Sequence, residues 1–246
     1  MSQVLTLRNP HSVLAALKRR PKDVLELVLP PQKGELGDAW AEALALAERS
    51  RVPRRAPQPG PRGQGGRGTG AEARVKAREP ITAEELFAGA PERAAGRGLW
   101  LALDSLQDPQ NVGAIFRAAA FFGVEGILLT QERSAPMSET VYDVSSGGVE
   151  EIPFTLQTNL QRGFEVAKNA GLWILGTSEH SKDDLSEVAR DRPWLLVLGN
   201  EEKGMRRLTE ESCDVLCGIQ PRGTGVTSLN VSVAAGIAIA ALTSGQ

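Results

Sequence analysis

Two cysteines and two histidines in 246 residues are too few for a disulfide framework or a histidine-rich metal site. Cys213 and Cys217 stand four apart, a spacing that does not suggest zinc. Packed, reduced thiols in a cytoplasmic protein are the expectation, with no metal. Aromatic residues make up 4% of the chain, so a nucleic-acid surface here would rest on Arg and Lys rather than on base stacking. No apolar run approaches the roughly 20 residues that span a membrane. Residues 13–17 are too short for a signal peptide and precede Lys18-Arg19-Arg20 instead of following a basic segment. Membrane partners are therefore not expected.

Net charge is also scarce, at −2, but its distribution is uneven. Between Arg49 and Arg78 there are nine Lys or Arg against one acid, Glu72, an excess of eight that leaves about −10 for the rest. Such asymmetry points to nucleic acid, with a solvated basic linker as the plain alternative. Within it, seven of the eleven residues 60–70 are Gly or Pro, too many to pack into a core. Gly66, Gly68 and Gly70 form no phosphate-binding loop of the nucleotide type, since no Gly-Lys-Ser/Thr and no feeding strand accompany them. Phosphate contact in RNA, through Arg62 and Arg67, and a flexible linker remain the two readings.

Hydrophobic residues at 41% and charged residues at 24% are ordinary for a globular chain, and the length allows one large domain or two modest ones. Over residues 1–79, periodicity predicts helices at 11–18 and 38–49, a buried strand at 24–29, a strand or turn from Val52, and an alternating strand at 71–78. This is a small α/β domain. Residues 80–97, with a helix-like 82–88, read as a linker. From residue 98 onward strands are expected at 99–103, 126–130, 171–176, 195–198 and 215–220. Helices are expected at 112–122, 141–147, 160–170, 208–213 and 230–242. Alternation of this kind argues for a largely parallel sheet, and Asn111 or Asp108 is available to cap the first of those helices.

Three segments carry the chemistry. The first is Asp108-Pro109-Gln110-Asn111-Val112-Gly113, continuing to Arg117. The second is Leu198-Gly199-Asn200-Glu201-Glu202-Lys203-Gly204-Met205. The third is Thr227-Ser228-Leu229-Asn230-Val231-Ser232, after the turn-rich Pro221-Arg222-Gly223-Thr224-Gly225. In open α/β sheets, ligands sit where strands exit into such loops. Together and in this order, the segments resemble the motifs of the SpoU (TrmH-type) branch of the SPOUT RNA methyltransferases. The resemblance covers the stretch from Gly98 to Gln246. It implies an α/β catalytic domain with a deep trefoil knot that binds S-adenosyl-L-methionine, and a homodimer formed through the knotted region. The stretch from Met1 to Glu79 resembles, more loosely, the small L30e-like α/β substrate-binding domain of ribosomal RNA members.

The resemblance also implies roles. Asn111, Arg117, Glu201, Ser228 and Asn230 match the family's catalytic motif residues, with Arg117 acting at the ribose 2′-hydroxyl and Asn111 positioning it. Gly176, Thr177, Leu198, Gly199, Ile219, Gln220, Ser228 and Leu229 match cofactor-binding positions. Ile219-Gln220-Pro221-Arg222 replaces the family's Ile-Pro-Met with an apparent extra residue, leaving the adenine contact open between Ile219 and Gln220. Arg117, Arg133, Arg62 and Arg67 are the expected RNA contacts. Arg117 lies six residues after Asn111; both reach one cleft only if Asn111 sits in the loop before the helix. The expected activity is 2′-O-methylation of RNA. The segment 204–209 resembles bacterial enzymes acting on a guanosine of 23S ribosomal RNA, and transfer RNA or a mitochondrial-type ribosomal RNA is the alternative substrate. A knotted RNA-binding protein without catalysis would lose Arg117, Glu201 or Asn230. A dinucleotide enzyme would need a Gly-x-Gly-x-x-Gly turn where Asp104-Ser105-Leu106-Gln107 follows the first strand.

Overall fold

Several helix starts in this chain are set by side chains. Asn9, Asp108, Asn159 and Asn230 each accept the backbone N–H of the residue two further on, satisfying a donor that the first helical turn leaves free. Pro10 and Pro109 follow two of these caps, where a missing N–H costs nothing.

The computed structural model describes residues 3–29, 37–56, 70–93, 96–200 and 202–244. The first elements are β1 (Val4–Leu7), α1 (Pro10–Arg19), β2 (Val24–Val28), α2 (Asp38–Arg49), β3 (Arg54–Arg55) and β4 (Glu72–Lys76). Next come α3 (Ala83–Phe87), α4 (Ala90–Arg93), β5 (Leu99–Leu103), α5 (Pro109–Phe122) and β6 (Gly126–Thr130). Then follow α6 (Glu139–Ser145), α7 (Gly148–Glu151), β7 (Phe154–Gln157), α8 (Leu160–Asn169) and β8 (Trp173–Thr177). The chain closes with β9 (Trp194–Leu198), α9 (Arg207–Glu211), β10 (Val215–Cys217) and α10 (Val231–Thr243).

These elements form two compact units, Met1–Glu79 with Met137–Glu151, and Pro80–Pro136 with Ile152–Gln246. In the first, a sheet in the order β1-β4-β2-β3 buries Ala73 and Val75 of β4 while their neighbours stay exposed or half-buried, the alternation expected of a one-sided strand. The helices α6 and α7 belong here by specific bonds rather than by sequence proximity. The Asp143 carboxylate accepts the N–H groups of Arg8 and Asn9 at 3.0 and 2.9 Å. Glu139 accepts that of Thr6 at 2.7 Å.

Deeper in this unit, the Glu150 carboxylate holds the Arg20 guanidinium through Nε and Nη2, both at 2.7 Å. The Glu150 side chain is 1% exposed. Tyr142 is buried against the same group; burial pushes its phenol up to about 12. Its oxygen accepts the Arg78 N–H at 2.8 Å. Removing one partner of such a pair leaves a charge without compensation. Glu150→Ala is expected to lower the stability of this unit by about 3 kcal/mol, read as a fall in its denaturant midpoint. Arg20→Met combined with Glu150→Leu is expected to recover most of the loss.

In the second unit all six strands are parallel, in the order β10-β8-β9-β5-β6-β7. The strands β5, β6 and β9 are buried along their whole length, as a sheet covered on both faces requires. Residues 80–93, expected as part of a linker with a helix-like 82–88, carry α3 and α4 and belong to the second unit. Thr82 and Glu85 form a reciprocal capping box, and Ala83, Leu86, Phe87 and Ala90 join Trp100, Phe164 and Val197 in one apolar cluster. The strands β1 and β7 and the helices α4 and α7 had no counterpart among the expected elements.

Candidate functional site

Parallel register decides where the motifs meet. In β8 and β9, Trp173 pairs with Trp194 and Gly176 with Val197; in β10, Cys217 pairs with Thr177. The strands β10, β8 and β9 are consecutive in the sheet, so their carboxyl ends lie side by side. Gly176 and Thr177, Leu198 and Gly199, and Ile219 and Gln220 are thus brought to one edge of the sheet. Thr177 Oγ1 donates to the Val197 carbonyl at 2.9 Å, holding this edge together.

The third motif reaches the first through side chains. Asn230 caps α10 by accepting the Ser232 N–H at 2.9 Å. Its amide nitrogen donates to Asn111 Oδ1 at 3.1 Å. Asn111 is 7% exposed and lies inside α5, because Asp108 is the cap. Arg117, six residues on in the same helix, is therefore about 240° around the axis. It is exposed, and among the described residues it has no charged or hydrogen-bonding partner. Asn111 and Asn230 are brought together; Asn111 and Arg117 of one chain are not. Ser228 and Leu229 lie in a run, residues 220–230, that is exposed throughout.

Several expected roles acquire a different physical reason. A side chain at Gly199 would put its Cβ 2.3 Å from the backbone carbon of Gly204 and from the nitrogen of Met205. The close approach at Gly199 is thus the loop closing on itself. At Gly176 the added atom would meet Cys213 Sγ and Leu216 Cδ2 at 2.7 Å, so a larger residue there would require these side chains to move. Gln220 is exposed and gives its amide to the Ser181 carbonyl at 2.9 Å. Glu201, Arg62 and Arg67 lie outside the described residues. Arg133 is exposed, in a left-handed conformation (φ 57°) after β6. Part of the basic excess is already neutralised: Arg55 and Arg74 both pair with Glu26 at 2.9 and 3.0 Å. Arg78 is held below its usual range by burial.

Residues that the motif reading passed over hold the site's frame. Asp104, fully buried, accepts Nε of Arg206 at 2.7 Å, and the Asn200 amide donates to the Ser105 carbonyl at 2.8 Å. An acid placed directly after a wholly apolar strand was the available signal. A cavity of 360 Å³ lined by Thr82, Glu85, Thr155, Gln157 and Arg162 lies by β7, the outermost strand on the side away from β10, and contains none of the motif residues. Among the described residues no group of three or more His, Cys, Asp or Glu could hold a metal ion. No helix among them is long and apolar enough to cross a membrane.

Burial pushes the thiol of Cys213 up to about 12 and that of Cys217 up to about 11. At pH 8 the thiolate fraction of each is then about 0.1% or less. Both are expected to resist maleimide labelling of the folded protein for hours and to react at once in denaturant.

A wholly parallel sheet with motif-bearing loops at the carboxyl ends of adjacent strands defines an α/β ligand-binding enzyme architecture. Residues 98–240 match the SpoU rRNA Methylase family. The 23S rRNA (guanosine-2′-O-)-methyltransferase RlmB of Nitrosomonas europaea is 37% identical over 238 residues, covering 93% of this chain and 87% of that enzyme. RlmB of Pseudomonas aeruginosa is 36% identical, covering 97% and 96%. The chain belongs to the SpoU rRNA methylase family. Among solved structures, the SpoU methyltransferase AviRb of Streptomyces viridochromogenes, in complex with the cofactor AdoMet, superimposes with a TM-score of 0.77. The match has 21% identity and covers 98% of this chain and 89% of that one. This likeness extends the shared fold over nearly the whole chain.

Proposed function

We propose that this protein is an S-adenosyl-L-methionine-dependent RNA 2′-O-methyltransferase acting on a guanosine of 23S ribosomal RNA. The observation that carries the reading is the convergence of the carboxyl ends of β10, β8 and β9, two of which lead into the second and third motifs, joined to the first motif by the Asn230–Asn111 bond. The substrate comes from the RlmB relatives, matched at 36–37% identity over more than nine-tenths of this chain.

The residues present suit the cofactor. Leu229 is 47% exposed and offers apolar surface. Ser228 and the half-buried Thr177 offer hydroxyls, and the backbone after β10 offers donors and acceptors beside them. When bound, S-adenosyl-L-methionine supplies an electrophilic methyl carbon on a sulfonium. Backbone at Leu198, Gly199 and Ile219 or Gln220 would hold its adenosine part. Asn230 and Asn111 fix the start of α10 against α5, so the exposed loop 220–230 has a rigid base. The methyl carbon would pass to the ribose 2′-oxygen, with the thioether of the demethylated cofactor as the leaving group and the hydroxyl proton released to solvent. Guanidinium groups stay cationic in proteins; Arg117 therefore orients the backbone phosphate and stabilises the developing negative oxygen. Glu201, which matches the acid of the family's second motif, would orient amide and guanidinium groups.

A homodimer is part of this reading. Val233 and Ile237 stand four apart on α10, 50% and 41% exposed, Leu229 just before its cap is 47% exposed, and Phe121 at the end of α5 is 83% exposed. Such an apolar stripe is uncommon on a monomer surface. Ala114, Arg117, Ala118 and Phe121 share one face of α5 by their spacing, so a second copy covering that face would bring Arg117 to the partner's cofactor site. This resolves the separation of Arg117 from Asn111 within one chain. The trefoil knot, the L30e-like identity of the stretch from Met1 to Glu79, RNA contacts by Arg133, Arg62 and Arg67, and a cytoplasmic site of action complete the proposal.

Transfer of labelled methyl groups to unmodified 23S ribosomal RNA and to unmodified transfer RNA, side by side, tests the substrate. Label confined to the 23S RNA is the expected result. Label on transfer RNA alone would keep the chemistry and overturn the substrate, and no label on either would overturn both.

A further inference from the structure

The Asp104 side chain is fully buried at the carboxyl end of β5, and its only ionic partner among the described residues, Arg206, is 44% exposed. A carboxylate in that position is unfavourable unless every lone pair is used. Here both oxygens accept. Oδ1 takes Nε of Arg206 at 2.7 Å and the Ser105 hydroxyl at 3.1 Å. Oδ2 takes the backbone N–H of Arg206 at 3.1 Å. The Asp104 N–H in turn donates to the Leu198 carbonyl at 2.8 Å. Residue 198 enters the second-motif loop and residue 206 leaves it, so one residue holds both ends.

The next two residues extend the same function. Ser105 adopts a left-handed conformation, φ 63°, which serine enters only when surrounding bonds require it. Its carbonyl accepts the Asn200 amide at 2.8 Å, and its N–H donates to Thr130 Oγ1 at 3.0 Å. The Leu106 carbonyl accepts the Ala135 N–H at 2.7 Å. Loops leaving β9 and β6 are thus tied to one turn after β5. The bonds go to the feet of loops that carry Glu201 and Arg133 in the sequence, not into the apolar core.

We propose that Asp104 is a positioning residue for methyl transfer, whose carboxylate, clamped on Arg206, holds the second-motif loop in its productive conformation before any ligand binds. This rests on the methyltransferase reading above. The chemistry demands a carboxylate and not merely its shape. Because both oxygens accept, the amide of an asparagine would set a donor against a donor in either orientation. A loop loosened by about 1 Å costs on the order of 100-fold in turnover when the reaction depends on alignment.

The test compares wild type, D104N, R206Q and the double variant in the full chain. D104N is expected to lower kcat about 100-fold, with KM for RNA changed less than about threefold. Cofactor affinity by calorimetry is expected to fall about tenfold. Backbone amides of residues 199–205 should exchange faster in the ligand-free protein while those of β5 and β9 keep their protection. R206Q should reproduce these effects, and the double variant should be no worse than D104N, since one interaction is lost in each. Should D104N fail to fold, R206Q, altered at a half-exposed side chain, reads the same clamp. Wild-type kcat together with wild-type loop exchange in a folded variant overturns the inference. A wild-type protein that transfers no methyl group overturns the functional reading instead, and loop exchange in the variants then decides the clamp by itself.

Discussion

Arg117→Ala is expected to reduce methyl transfer by about 10²–10³-fold or more, with cofactor affinity changed less than about twofold. Its exposed side chain packs against no core, so the melting temperature should not move. Arg117→Lys keeps a charge but loses the planar fork, and should recover only part of the rate. The position of Arg117 adds a sharper consequence. Asn111 is buried and bonded to Asn230, while Arg117 faces away from it on the same helix. If Arg117 serves a partner's site, mixing Arg117→Ala subunits with Asn230→Ala subunits will restore activity to a preparation in which each variant alone is inactive. Wild-type turnover by Arg117→Ala would remove this residue from the reaction.

Gly199→Ala is the second large effect. The added methyl would stand 2.3 Å from backbone atoms of both Gly204 and Met205, and neither can rotate away as a side-chain tip could. The paired hydrogen bonds between Asn200 and Gly204, 2.9 and 3.0 Å, would have to open. A cost of about 2 kcal/mol or more is expected, concentrated in the loop. Calorimetry should show cofactor binding weakened at least about tenfold, while the first unit's stability is unchanged. Wild-type cofactor affinity in this variant would show that the tight loop is unconnected with the ligand.

Much of this frame was legible in the sequence. Leu99–Leu103, Gly126–Thr130 and Asp38–Arg49 came out with the observed bounds, because each has a clean apolar pattern between turn or cap residues. The three motif segments were found, and the parallel sheet follows from strand–helix alternation. The strands β1 and β7 have four residues each, too short to show a period. Attachment of α6 and α7 to the first unit depends on Asp143 and Glu150 meeting residues more than 120 positions away, which no local pattern records. The position of Asn111 was decidable in principle. Asp108 followed by Pro109 is a cap with proline at the first helical position, which puts Asn111 inside the helix and turns Arg117 to another face. Gly199 and Gly176 were singled out as positions where the backbone approaches the cofactor. The structure adds close contacts with Gly204, Met205 and Cys213, which become visible only once the loop is closed.

Asp104 shows the other limit. A single acid after a strand is common at the surface, and the sequence does not reveal that its neighbours in space are Leu198 and Arg206. A sequence shows chemistry that is concentrated in a motif more readily than a residue whose bonds tie the two ends of one loop together.

The central claim is tested most directly by nucleoside mass analysis of unmodified 23S ribosomal RNA incubated with the protein and S-adenosyl-L-methionine. One 2′-O-methylguanosine per RNA, at a position resistant to alkaline cleavage, is the predicted result. A methyl group on a base, or RNA left unchanged by a protein that binds the cofactor, would contradict it.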